Sequence, residues 1–447
     1  MFAILASVAS LMLAVGLLQL GSGMFNTFIG LRAAFEGFPK EITGLLMSAY
    51  YAGLVVGTLV CGRLVNRAGH IRAFGVFCAI TAASILAIPL LPNQWAWVAL
   101  RAMMGINLAG LYMVAESWLN AKATGQHRGT LLAVYMMTCY LCSGSGQLLV
   151  GVVSTETVTA FMLVAICFSL ALVPVAVTRA SHPAPVDTSH FSIRKLWAVS
   201  PLAIVGCVVS GLGTGAIYGM GPIYGQDIGF TQGQIATFMG ITVIGGLVFQ
   251  FPVGWLSDRF DRRWVIVGAT LAAALASFVV VVVIRQGYFA INTPSGTFRL
   301  LYAPYRIPLY IISATYGGFI ATIYPLCVAY ANDYIDAQDM VHASAGLVLA
   351  YGVGAAIGPS AAAALMGQVG PDGLFIFTGT VTLGLVAFAA YRMRRRHWVP
   401  VAEKENFVVL PEAVTTPVAT ESDPRSESGQ LALELELPWE EAQPSAT

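Results

Sequence analysis

Most of the chain consists of long runs of apolar residues that are separated by short polar stretches. Each run has the roughly 20 residues that a helix needs to cross about 30 Å of hydrocarbon. The runs are continuous and do not alternate with polar residues, so they predict membrane-spanning helices and exclude the strands of a closed barrel. Twelve runs can be counted, at residues 5–27, 42–62, 73–92, 95–118, 130–150, 158–178, 200–222, 232–253, 264–284, 305–331, 342–366 and 373–393.

The composition agrees with a place in the lipid bilayer. Of the 447 residues, 57% are hydrophobic and 10% are charged, whereas soluble proteins carry about 25% charged residues. The first run has no basic stretch before it and no small-residue cleavage site after it, so it predicts a retained helix and not a signal peptide. The sequence therefore predicts an all-α membrane protein with twelve transmembrane helices.

Lysine and arginine are unequally divided between the two sets of connecting segments. The gaps after runs two, four, six and eight, with the start of the tail, hold fifteen basic residues, and the opposite gaps hold five. Because basic residues stay on the cytoplasmic side, we expect both termini in the cytoplasm. The expected location is the cytoplasmic membrane of a bacterium.

Two motifs indicate that the chain is built from two copies of a six-helix unit. Gly62-x-Leu-x-Asn66-Arg67 recurs 192 positions later as Gly254-x-Leu-x-Asp258-Arg259. A second match, residues 142–147 with 354–359, is 212 positions apart, and an outer insert at 285–304 accounts for the difference. The sequence predicts two pseudo-symmetric halves (1–178 and 200–393), a cytoplasmic linker (179–199) and a disordered acidic tail (394–447). Within these we expect a hairpin pairing 288–291 with 298–301 and a short helix at 192–196.

Polar side chains are unequally distributed among the runs, and every third run has few of them. Apart from Arg392 at the end of run twelve, runs three, six, nine and twelve carry no charged side chain, which assigns them to lipid, and the other runs are expected to surround a central cavity. Arg101 is the only basic residue deep in a run. Its cost in the membrane is at least about 2.5–3.5 kcal/mol unless it is paired or hydrated, so we expect it to face the cavity.

These motifs resemble the major facilitator superfamily over about residues 1–395. The resemblance rests on the Gly254 motif, its degenerate copy at Gly62 and Arg101-x-x-x-Gly105. Val114-Ala-Glu116-Ser117, residues 128–137 and residues 146–149 are similar to the bacterial YcaD-like branch. The resemblance implies a transporter that works by alternating access, and it supplies no substrate. The outer insert and the acidic tail depart from the pattern.

The resemblance implies gating and coupling roles for Arg101, Glu116, Asn66, Arg67, Arg72, Asp258, Arg259 and Arg262. In the family the loop motif locks the outward-facing state, and Asn66 in place of an acid would weaken that latch. Arg101 matches the arginine linked to proton coupling, the alternative being a structural arginine. Glu116 lies about 22 Å along the helix from Arg101, so the two cannot pair. It is either a gate that bridges Arg67 or Arg72, or a carboxylate that binds a proton.

The remaining candidates would line the cavity and bind the solute. They are Asn26, Arg101, Tyr112, Gln147, Tyr218, Gln250 and Tyr324, although aromatic residues in helices more often serve packing. A cavity with one arginine and many aromatic rings favours a small neutral, amphipathic or weakly anionic solute. The seven cysteines lie within apolar runs and imply no disulfide framework and no metal site.

The sequence favours a secondary transporter of a small organic solute, coupled to protons, with export slightly favoured over import. No ATPase or nucleotide-binding motif is found, so a gradient would drive transport. The expected partners are the solute, protons and the lipid bilayer, with no nucleic acid, no cofactor and no enzyme activity, and the protein is expected to be a monomer. The alternative is a non-transporting membrane sensor or scaffold that signals through its tail.

Overall fold

The computed structural model describes residues 2–122, 128–177, 193–291, 303–335, 340–395 and 407. These residues form twelve long helices and one short helix, α7. Their bounds are α1 Phe2–Phe35, α2 Lys40–Ala68, α3 His70–Ala87, α4 Gln94–Lys122, α5 Arg128–Leu149, α6 Thr159–Val177, α7 Ile193–Val199, α8 Pro201–Asp227, α9 Gln232–Arg259, α10 Arg262–Ile291, α11 Ala303–Asn332, α12 Met340–Val369 and α13 Gly373–Met393.

Each long helix coincides with one of the twelve apolar runs, which confirms the predicted all-α membrane fold. Within the described part of the chain, eleven helices are long and apolar enough to cross a membrane. The remaining long helix is α5, whose second half contains two cysteines, two serines, two glycines and a glutamine. These small and polar residues suit a helix that packs against protein on several sides.

Several helices extend beyond the apolar runs that predicted them. α10 continues through Ile291, so the predicted hairpin is wrong in its first strand, residues 288–291. A helix satisfies its backbone groups internally at the membrane boundary, whereas an isolated strand would not. The second strand, residues 298–301, lies outside the described residues. The short helix predicted at 192–196 corresponds to α7.

Glycines show the duplication in three dimensions. A Cβ added at Gly53 in α2 would lie 2.1 Å from the carbonyl oxygen of Ala102 in α4. Gly245 in α9 lies 192 positions after Gly53, and Ala314 in α11 lies 212 positions after Ala102. A Cβ added at Gly245 would lie 2.2 Å from the carbonyl oxygen of Ala314. No side chain fits at such contacts unless the helices separate. The offsets equal those of the sequence motifs, so α1–α6 and α8–α13 are two six-helix halves with one packing scheme.

The helices form a central and an outer layer. In the most apolar stretch of α1, α4, α8 and α11, between 67% and 78% of the residues are buried. In α3, α6, α10 and α13 the buried share is 39% to 56%. The outer helices are those predicted to face lipid, and the central four are the most buried of the eleven candidate spans.

The two ends of the bundle differ in charge. One end carries the connections α2–α3, α4–α5, α9–α10 and α11–α12, and we call it the basic end because several arginines lie on it: Arg63, Arg67, Arg72, Arg259, Arg262 and Arg263. The other end, with the connections α1–α2 and α8–α9 among others, is called the opposite end.

Candidate functional site

Arg101 lies where α1, α2 and α4 converge in the N-terminal half. Its side chain is only 1% exposed. One terminal nitrogen, Nη2, donates a hydrogen bond to Oδ1 of Asn26 at 3.0 Å and contacts Sδ of Met47 at 3.8 Å. The guanidinium carbon is 4.4 Å from the centre of the Tyr50 ring and 5.3 Å from that of Phe25. The charge is therefore stabilised by one amide oxygen and two ring faces.

Two further nitrogens of Arg101 have no hydrogen-bond partner. These atoms, Nε and Nη1, are buried without an acceptor among the described residues. An unpaired polar group away from water costs free energy, and a charged one costs more. The arrangement therefore leaves two N–H donors to which an anionic group or a water molecule could bind.

Glu116 lies on the same helix, closer to the basic end, and is 1% exposed. The hydrogen bond described for its Oε1 atom comes from the Tyr135 hydroxyl in α5, at 3.4 Å. Between Arg101 and Glu116, the Tyr112 hydroxyl donates to Oε1 of Gln19 at 3.0 Å. The predicted gate partners, Arg67 and Arg72, are exposed at the basic end. A series of buried polar side chains therefore follows the interior of the N-terminal half.

Two predicted cavity glutamines are buried between helices and form hydrogen bonds there. Gln147 in α5 is 3% exposed, and its Oε1 accepts a hydrogen bond from the Thr27 hydroxyl in α1. In α9, Gln250 is completely buried and its Nε2 donates to the Tyr140 hydroxyl of α5 at 2.6 Å. The second contact joins the two halves, so Gln250 lies at their interface.

Two predicted tyrosines of the C-terminal half occupy the central helices. Tyr218 in α8 is half-buried. Tyr324 in α11 is 1% exposed, and its ring centre lies 5.2 Å from that of Tyr351 in α12. Position 218 corresponds to Asn26 at the offset of 192, and position 324 corresponds to Tyr112 at the offset of 212. Four predicted residues therefore form two equivalent pairs, one member in each half.

Further polar contacts between the halves lie in the part of the bundle near the opposite end. Nζ of Lys40 in α2 is 2.7 Å from a carboxylate oxygen of Asp227 in α8. Nε2 of Gln232 at the start of α9 donates to the backbone oxygen of Val150 at 2.6 Å. Deeper in the bundle, the hydroxyls of Ser48 and Ser360 are 2.8 Å apart. These bonds hold the halves together at the opposite end.

Arg262 organises the basic end of the C-terminal half. It is 1% exposed and donates to the Ser257 hydroxyl at 3.1 Å and to the Ala329 carbonyl at 3.0 Å. It also forms a buried ion pair with Asp333, which directly follows α11, and a longer contact to Asp258 at 3.5 Å. This group fixes the start of α10 against the end of α11.

At the equivalent place in the N-terminal half, a histidine stands where the C-terminal half has Arg262. His70, at the start of α3, is 4% exposed, and its Nε2 lies 2.9 Å from the Ser117 hydroxyl in α4. Asn66 is exposed on the preceding turn of α2. In the C-terminal half, Arg259 is also exposed, with its guanidinium 4.1 Å from the Trp255 ring centre.

Sequence reasoning missed four residues that make prominent contacts. Asp333 was not singled out because an acidic residue between two apolar runs is typical of an exposed loop. Lys40 and Asp227 lie at the ends of separate apolar runs, and nothing local pairs them. Phe407, in the acidic tail, donates its backbone N–H to Oδ1 of Asp258 at 2.6 Å. Within the described residues no group of three His, Cys, Asp or Glu side chains could hold a metal ion.

The sequence matches proteins of one family over most of its length. The sequence model described as Major Facilitator Superfamily matches residues 11–291 and 203–434. The chain is 32% identical over 368 residues to the uncharacterized MFS-type transporter YcaD of Escherichia fergusonii, covering 82% of this chain and 90% of that protein. It is 30% identical over 377 residues to an uncharacterized MFS-type transporter of Yersinia enterocolitica, covering 83% and 93%.

Solved structures show the same fold at low sequence identity. The nucleoside transporter NupG is 12% identical and covers 88% of this chain and all of its own, with a TM-score of 0.66. A bacterial homologue of the lysosomal transporter Spinster, solved in an inward-facing and unoccupied conformation, is 12% identical with a TM-score of 0.64 and covers 89% of this chain and 99% of its own. The chain is therefore a multi-spanning membrane transporter that belongs to the major facilitator superfamily.

Proposed function

We propose that this transporter moves a small organic solute by alternating access, driven by a proton gradient. The observation that carries the proposal is Arg101, a buried cation in a central helix that has two N–H groups without acceptors. A charge inside the membrane region is costly and marks a functional site. The solute or water would complete its hydrogen bonds during the transport cycle.

The proposed solute site lies between α1, α4, α8 and α11. Asn26 and Tyr218 are half-buried at equivalent positions of α1 and α8, and Tyr112 and Tyr324 are equivalent in α4 and α11. Binding at the interface of two repeats is typical of transporters built from repeats. The ring faces around Arg101 favour a neutral, amphipathic or weakly anionic solute over one with several negative charges.

The basic end is proposed to be cytoplasmic, together with both termini, because basic residues stay on that side. Since Lys40, Asp227 and Gln232 join the halves at the opposite end, the described arrangement would then be closed to the outside. Single cysteines at Gly125 and Ser295 test the orientation with a membrane-impermeant thiol reagent. Labelling from opposite faces is expected, and labelling of both from the same face would contradict it.

Glu116 is the proposed proton-binding group. It is a buried carboxylate inside a span, with Tyr135 as a hydrogen-bond partner, and a carboxylate in such a place can change protonation when its surroundings change. Export is slightly favoured over import, because the surroundings of Arg101 are aromatic and would accept amphipathic compounds.

The test begins with the purified protein and a panel of organic acids, amines and nucleosides. Nucleosides are included because one structural relative is titled a nucleoside transporter. Compounds that raise the unfolding temperature are then added to proteoliposomes that contain the pH dye pyranine. We expect at least one compound to move together with protons. A compound that binds and is transported without any proton movement would contradict coupling, and one that binds without being transported would favour a sensor.

A further inference from the structure

One residue of the acidic tail, Phe407, lies against the basic end of α9. Besides the hydrogen bond from its N–H to Asp258, its ring lies directly over Gly254. A Cβ added at Gly254 would meet three ring carbons of Phe407 at 2.5, 2.8 and 3.2 Å, and these are its nearest neighbours. Phe407 is partly buried and packs against the hydrophobic core. Gly254 therefore provides the space that the ring occupies.

The contacted surface continues the face of α9 that meets the other half. Gln250, Gly254 and Asp258 are spaced four residues apart and so lie on one face of the helix. Gln250 on this face bonds Tyr140 of α5 across the interface between the halves. Gly254 and Asp258 are the next two turns toward the basic end. Phe407 thus occupies the part of α9 that α5 would approach if the halves closed at that end.

We propose that Phe407 is an intramolecular ligand of this α9 surface and holds the two halves apart at the basic end. Closure there would bring α5 toward the space filled by the Phe407 ring, so docking and closure exclude each other. Docking also engages Asp258, the acid of the loop motif, through a backbone N–H. The proposal rests on the proposed alternating-access function, because it assigns the tail to one of its states.

The tail sequence fits such a role. Phe407-Val408-Val409-Leu410 is an apolar stretch within residues 400–447, which carry ten acidic and two basic side chains. In the α9–α10 connection, Arg262 and Arg263 are buried in ion pairs with Asp333 and Asp261, whereas Arg259 is exposed. Attraction between the acidic tail and Arg259 would increase the local concentration of the tail and give the docking a dependence on salt.

The experiment measures the distance between spin labels at Arg67→Cys and Arg259→Cys. Both positions are exposed at the basic end, one in each half. The background is full-length protein in lipid nanodiscs with the native cysteines replaced. Phe407→Ala and Gly254→Ala are compared with two controls. Gly268→Ala adds a methyl group where no atom lies within 4 Å, and Trp439→Ala removes the other aromatic ring of residues 400–447.

Phe407→Ala and Gly254→Ala are expected to shift the population toward the shorter distance, by roughly threefold to tenfold in the ratio of the two states, the range for a single lost contact. Neither control should do so. If two distance populations are present and neither variant changes their ratio, the tail proposal is overturned but alternating access is not. A single distance in every variant would contradict alternating access as well as the tail proposal. Since no solute is needed, the outcome is independent of the unknown substrate.

Discussion

In the N-terminal half, α4 buries the guanidinium of Arg101, whereas the equivalent position of α11, 212 residues later, is Ser313. Likewise, Glu116 corresponds to Val328. At the basic end, the buried charges lie in the C-terminal half instead. The C-terminal half has the buried ion pair of Arg262 and Asp333, where the N-terminal half has His70 and Ala121. The duplicated helices therefore carry their buried charges at different depths.

The comparison separates what the repeat preserves from what it has changed. The glycine contacts between α2 and α4 recur between α9 and α11 with closely similar distances, so the backbone framework is common to both halves. Charges buried in a membrane protein are costly and persist where they have a function. Our account is that the N-terminal half supplies the buried charges for solute and proton binding inside the bundle, while the C-terminal half uses its ions to fix helices at the basic end.

The largest expected effect on stability comes from Asp333→Ala. It removes the nearest ion-pair partner of the buried guanidinium of Arg262, and breaking a buried pair costs about 3–5 kcal/mol. Denaturation of the purified protein by SDS in detergent micelles measures the loss. A loss of unfolding free energy below about 1 kcal/mol, the value for an exposed pair, would show that the ion pair of Arg262 and Asp333 does not stabilise the C-terminal half.

Arg101→Ala is expected to weaken solute binding and transport by about 10- to 100-fold, the effect of losing one hydrogen bond to a charged group. The matched control is Ser313→Ala at the equivalent position of α11, where a buried hydroxyl without a partner is removed. The control should transport within about twofold of the wild type. Equal losses in the two variants would contradict the assignment of the charge chemistry to one half.

The smallest effect is expected for Ser117→Ala. It removes the hydrogen bond to His70, and a typical hydrogen bond contributes about 1 kcal/mol. The same SDS denaturation that measures Asp333→Ala compares the two halves directly. If Ser117→Ala were as destabilising as Asp333→Ala, the basic ends of the halves would be energetically equivalent in spite of their different chemistry.

The helices were predictable because an apolar run of sufficient length can satisfy its backbone in lipid in few other ways. Their ends were less predictable. α10 continues through Tyr288 to Ile291, since polar and aromatic residues at the membrane boundary extend a helix as readily as they form a loop. The repeat could also be predicted from the sequence, because glycine contacts such as Gly53 with Ala102 require small residues at equivalent positions of both halves.

The site could be predicted by residue type but not by partner. The burial of Arg101 follows from its isolation within an apolar run, and Asn26 was identified as polar, but their hydrogen bond joins residues 75 positions apart. Asp333 and Phe407 depend entirely on tertiary contacts. Their partners, Arg262 and Asp258, are 71 and 149 positions away, and no local pattern encodes such pairings.

The central claim, that the N-terminal half carries the coupling proton, is tested most directly by Glu116→Gln. Proteoliposomes containing the variant or the wild type are supplied with a solute found in the binding screen, with and without an imposed pH gradient. We expect the variant to lose uphill transport and to retain part of the solute exchange, because the amide keeps the shape of the side chain but cannot bind the proton. Gradient-driven transport at the wild-type rate in Glu116→Gln would contradict the account.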